Sequence, residues 1–168
     1  MDGAVTRDVE RQLRSLPTDA SHIVVSVGGN DALGAAHVLF ENVRSVAVAL
    51  VKLSAIREQF ARDYRRMLDT ITARKLPVAI CTIYDGCADD EIQQRINTTA
   101  LTIFNDVITR EAFRRGLMLI DLRLICNEPG DYANPIEPSA QGGNKIAAVI
   151  ANMVTGSSTM LRSQVYID

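Results

Sequence analysis

No surplus of positive charge marks this chain: 18 Lys and Arg stand against 20 Asp and Glu, a formal net charge of -2. Without a basic face it has no electrostatic means of gripping nucleic acid or an anionic membrane surface. Long apolar runs are missing too. The greasiest, VAVALV at 46–51, falls far short of the ~20 residues that a membrane-spanning helix needs. Cysteine is scarce: Cys81, Cys87 and Cys126 are an odd number without C-x-x-C spacing. That argues against a disulfide scaffold and for a reduced, cytoplasmic protein in which each thiol is a small hydrophobe. Neither glycine pattern that cradles phosphates, G-x-G-x-x-G or G-x-x-x-x-G-K, occurs, which counts against nucleotide use. Internal repeats, low-complexity segments and a secretory leader are also not to be seen.

What is present is an ordinary globular composition, 47% hydrophobic and 23% charged over 168 residues, which is one domain by length. The domain is expected over 1–155, with 156–168 as a loosely held tail. Val9, Leu13 and Leu16 recur at helical spacing after Thr6, and Pro17 closes that helix. HIVVSV (22–27) then reads as a strand covered on both faces. From 35 to 76 there is neither Gly nor Pro, and an apolar stripe through Leu50, Phe60, Tyr64 and Ile71 predicts helix in two pieces meeting near Ser54. LPVAICTIY (76–84) and LMLIDL (117–122) are further buried strands. Between them, 91–115 is helical and ends at Gly116, and Ser139 caps a last helix. Strands alternating with helices imply a parallel α/β sheet whose function gathers at the carboxyl ends of its strands.

The acidic DGCADDE (85–91) reads as a solvated lead into a helix N-terminus rather than a metal site. Arg110, Arg114 and Arg115 read as a wet helix face, and His37 as structural. No cofactor is expected.

The unusual chemistry sits after the first strand, where VSVGGNDA (25–32) ends on two glycines, an amide and a carboxylate. Glycines let a chain turn sharply and approach a ligand closely. This block resembles the Gly-x-Asn-Asp block of the SGNH hydrolases, the GDSL esterases and lipases, mapping onto Gly28, Gly29, Asn30 and Asp31. MDGAVT at the start is similar to the family's preceding block, with Gly3 as its glycine. NPIEPSAQGGNKIA (134–147) occupies the place of the family's Asp-x-x-His and final helix. Together the blocks cover nearly the whole chain in order.

The resemblance implies a three-layer, flavodoxin-like parallel sheet flanked by helices, and hydrolysis of a small ester or acylated substrate. It implies that the Asn30 amide and the Gly3 N–H hold the oxyanion that forms on the ester carbonyl. Gly28, Gly29, Asp31 and Asn134 are substrate-side candidates, Asp31 more by ordering the turn than by touching substrate. There are two departures. The family's Gly-Asp-Ser strand precedes the first block found here, so an N-terminally truncated domain without its nucleophile is expected, its first strand left with an unpaired apolar edge. The family's histidine falls at Glu137 and its aspartate at Asn134, with Asp131 as the other acid within reach. Glu137 by itself reads equally as a solvated carboxylate or a partner for Lys145. The chain is therefore expected to be a weak esterase, or a binding domain that has kept the cleft.

Overall fold

The computed structural model describes residues 3–156 and 165–166. Strands β1 (Ile23–Val25), β2 (Val78–Cys81) and β3 (Met118–Ile120) form a parallel sheet in the order β1-β2-β3. Val24 registers with Ala79, and Ile80 with Leu119. Parallel neighbours require crossovers, supplied here by helix α3 (Val46–Thr72) between β1 and β2 and α4 (Glu91–Arg114) between β2 and β3. A short helix α1 (Val9–Leu13) precedes β1, and α2 (Gly29–Ala35) follows it. After β3 come the single turn α5 (Leu122–Ile125), the antiparallel pair β4 (Tyr132–Asn134) and β5 (Glu137–Pro138), and helix α6 (Ala140–Thr155).

The alternation of β2 explains its uninterrupted greasiness, because a strand covered on both faces has no solvent side to mark with polar residues. Val78 and Ile80 face α1, α3 and α4, joining a core built on Phe60, Tyr64, Leu68, Ile71 and Ile108. Phe60 meets Phe104 of α4 edge-on with ring centroids 4.9 Å apart. Ala79 and Cys81 face the other way, toward Ile146, Val149, Ile150 and Met153 of α6. Each large side chain so buried contributes ~1.5–3 kcal/mol.

Two expectations give way here. Helix α3 runs unbroken through Ser54, and the discontinuity lies earlier: Ala36–Phe40 is a 3-10 turn. Ser45, extended at φ -160°, then starts α3 by accepting the Val48 N–H at 3.3 Å. The capping serine, not the interior one, set the boundary. The arginines of α4 are not simply wet. Glu111 is only 4% exposed and accepts from Arg65 of α3 at 2.8 Å and from Arg114 and Arg115 at 3.3 Å, while Arg110 pairs with Asp106 at 2.7 Å. Of the expected tail, Gly156 ends α6 in the left-handed conformation, 157–164 and 167–168 lie outside the described residues, and no helix among those described is long and apolar enough to cross a membrane.

Candidate active site

At the carboxyl end of β1 the chain must turn at once from strand to helix. Gly28 does this at φ +123°, and a Cβ there would stand 3.2 Å from both Ile83 Cδ1 and Phe60 Cζ. The position therefore demands glycine on two counts. The turn sets Asn30 and Asp31 in the first turn of α2, where both reach back to the start of the chain. Asn30 Nδ2 donates to the Ala4 carbonyl at 3.0 Å. One Asp31 carboxylate oxygen accepts from the Thr6 N–H at 2.9 Å and its hydroxyl at 3.0 Å. Burial raises the Asp31 carboxyl above the usual carboxylate range, although both Thr6 bonds oppose it. The Gly-Gly-Asn-Asp turn thus clasps residues 3–6, with Gly3 in the left-handed region at φ +70°.

The opposite wall is the continuation of β2. Here a side chain replaces a strand neighbour: Asn105 Oδ1 accepts from the Ile83 N–H at 2.8 Å, and its Nδ2 donates to the Ile83 carbonyl at 2.9 Å. Beyond it, Gly86 at φ +74° passes so close to Pro135 that a Cβ would lie 2.6 Å from the Pro135 oxygen. That oxygen accepts the Cys87 N–H at 3.0 Å. Tyr84 Oη donates to the Ile136 carbonyl at 2.9 Å. These contacts bring the β4–β5 turn over the strand ends.

A cavity of about 650 Å³ opens between the two walls, and Gly3, Gly28, Gly29, Asn30 and Glu137 all border it. Such a volume suits a small ligand. Asp31, Asp131 and Asn134 are not on its wall. Asp131 is fully buried and occupied: Lys145 reaches it at 2.8 Å, Gln141 at 3.0 Å and the Glu128 N–H at 3.1 Å. The hydrogen bond from Lys145 holds its carboxyl below the usual range. It fastens the start of α6 rather than facing the cavity. Lys145 takes Asp131 and Glu128 in place of Glu137. Asn134 donates to Glu137 at 2.6 Å and accepts the Ile136 N–H at 3.0 Å, shaping the rim that carries Glu137.

Asp85 also borders the cavity. Burial raises its carboxyl, partly offset by Arg123. It is the first charged residue beyond β2, at the strand end rather than at the helix start that the acids after it lead into. Ser26 is a further wall residue; its hydroxyl is hydrogen-bonded with the Cys81 thiol, which burial pushes up to about 11. Neither histidine is on the wall: His37 lies against the Gly34 carbonyl and His22 against Ser21. Asp90 caps α4 by accepting the Gln93 N–H at 2.7 Å. Among the described residues no group of His, Cys, Asp and Glu is arranged to hold a metal.

The architecture is shared with solved structures. The extracellular lipase of Streptomyces rimosus overlays on 90% of this chain and 76% of its own, with a TM-score of 0.63 at 19% identity. Phospholipase A1 of Streptomyces albidoflavus matches the same shares with a TM-score of 0.65 at 18% identity. A GDSL-like lipase of Bacteroides thetaiotaomicron matches 92% of this chain and 73% of its own, with a TM-score of 0.63 at 13% identity. The fold is that of the SGNH hydrolases. At the level of sequence neither a family model nor a curated protein matches the chain.

Proposed function

We propose that the cavity is an ester-hydrolysis site of the SGNH kind, in which Asn30 and Gly3 stabilise the oxyanion of a small ester or acylated substrate. The observation that supports this is the clasp between Asn30 and Ala4, which fixes the amide at the cavity wall beside Gly3. One Nδ2 hydrogen serves Ala4; the second is left for a ligand oxygen. A donor already held in place costs nothing to reorganise as charge develops on the carbonyl, and removing one such donor costs about 10²–10³ in rate. Glu137, on the rim, is the proton acceptor in this reading. Ser26, the serine on the cavity wall, has its hydroxyl bonded to the Cys81 thiol and no base beside it among the described residues. An oxyanion pocket without a complete nucleophile–base pair retains ~10³–10⁴ over the uncatalysed rate.

Turnover of p-nitrophenyl acetate by the purified chain tests it. The rate should exceed the buffer rate and fall ~100-fold or more in Asn30→Ala. Turnover that survives this change overturns the assignment. A second reading, ligand binding without turnover, draws on the exclusion of both histidines from the cavity; it predicts saturable binding of a short-chain phosphonate ester with no hydrolysis.

A further inference from the structure

The charges on the cavity wall are all of one sign. Among the described residues the wall takes in two charged side chains, Asp85 and Glu137, and no Lys, Arg or His. Tyr84 and Gly86 touch the β4–β5 turn at Ile136 and Pro135, so residues 85 and 137 share one side of the cavity, across from Asn30 and Gly3. No ion pair neutralises them. Lys145 goes to Asp131 and Glu128, while Glu137 accepts from the neutral amide of Asn134 at 2.6 Å. Arg123, whose charge reaches Asp85, is bound to Asp121 at 2.8 Å through Nε and 2.5 Å through Nη2, and it stands off the wall. The Asp85 carboxylate holds no hydrogen bond among the described residues; Gln94 donates to the backbone carbonyl instead, at 3.4 Å. A half-buried carboxylate without a partner is unfavourable, and a cleft lined by one sign of charge with apolar walls focuses the field inside it.

We propose that the cavity selects a cationic ester, one whose alcohol or acyl part carries an alkylammonium group. The ester half of this rests on the reading above. The ammonium half rests on Asp85, Glu137 and Tyr84, all of which border the cavity. The ammonium pairs with the two carboxylates, and its alkyl groups lie against the Tyr84 ring and the apolar Ile83 and Ile136. Aromatic faces attract such weakly hydrated cations, the more so where water is excluded. A bare metal ion suits the place less well. A hard cation such as calcium takes roughly 6–8 oxygen ligands, and no group of acids among the described residues is arranged to supply them. An anionic ester meets the same field as repulsion. The two walls thus divide the substrate: Asn30 and Gly3 receive the reacting carbonyl, and the 84–86 and 135–137 segments choose what is attached to it.

The probes are acetylcholine and its uncharged carbon isostere, 3,3-dimethylbutyl acetate, which match in shape and differ in charge. Binding to the purified chain, followed by amide chemical shifts in an NMR titration, should be about tenfold tighter for acetylcholine, with the largest shifts at 84–86. Asp85→Asn should bring the two esters to within about threefold of each other and leave the affinity for the isostere unchanged. Asp89→Asn removes the same charge from an exposed position of the same loop, off the cavity wall, and should keep the full preference. Equal affinity for the two esters overturns the proposal, as does a preference that survives Asp85→Asn or disappears in Asp89→Asn. So does acetylcholine that fails to bind saturably. Should the isostere bind and be hydrolysed with no preference between the two, the ester reading stands and the ammonium site falls. A preference that depends on Asp85, with neither ester turned over, supports the ammonium site and refutes the ester reading alone.

Discussion

Replacing Gly142 by alanine sets two effects of opposite sign against each other. Gly142 stands in the first turn of α6, where Ser139 Oγ accepts its N–H at 3.2 Å. By helix propensity alone Gly→Ala should stabilise by up to ~1 kcal/mol. Packing says otherwise, for a Cβ at 142 would sit 2.2 Å from the Asp131 carbonyl oxygen and 3.1 Å from its carbon. The obstacle is backbone, which cannot rotate aside, so α6 must retreat by about an ångström. Overpacking of this kind costs ~1–3 kcal/mol. The retreat also stretches the hydrogen bond from the Ser139 N–H to that same oxygen, now 2.8 Å and worth ~1 kcal/mol. The net expectation is a loss of ~2 kcal/mol, or a melting temperature lower by roughly 4–8 °C for a domain of this size. Gly143 is the internal control. Nothing lies within 4 Å of its Cβ position, so Gly143→Ala keeps the propensity gain and melts slightly higher. Urea unfolding followed by circular dichroism measures both. If Gly142→Ala proves as stable as Gly143→Ala, the close seating of α6 on residues 128–131 is wrong.

Two further outcomes follow from buried polar groups. The Tyr64 hydroxyl is fully buried without a partner among the described residues, so Tyr64→Phe should leave urea stability unchanged or raise it by up to ~1 kcal/mol; a loss above that would reveal a bond the hydroxyl makes. Glu111 is held below its ordinary range, because the hydrogen bonds from Arg65 and Arg115 outweigh the effect of burial. A carboxyl depressed on folding adds stability above its unfolded value of ~4.3, and that contribution drains away as pH falls through the folded value. Glu111→Gln should therefore be less stable than the parent at pH 7 and converge with it toward pH 3; a gap that stays constant across that range would refute the linkage.

The elements that carry the site were readable because their signals are local. An apolar run bounded by turn residues announced β1 and β2, and the stripe through Phe60, Tyr64 and Ile71 announced α3. Strand lengths were overestimated for a physical reason: Ile83 is as buried as the strand before it, but its backbone is satisfied by Asn105 instead of a neighbouring strand. Asp131 and Glu137 look alike in one dimension. Only the fold reveals that Lys145 turns to the first, leaving the second on the cavity rim. Asp85 is grouped in sequence with its acidic neighbours of DGCADDE because position at a strand end, rather than residue type, distinguishes it.

The grip of Asn105 on both polar groups of Ile83 means that the cavity floor travels with α4. Deformation of that floor by a bound molecule loads the same helix whose far turns hold Glu111 between its arginines. Acid or heat that slackens those ion pairs should accordingly unsettle the cavity while β1, β2 and β3 still hold together.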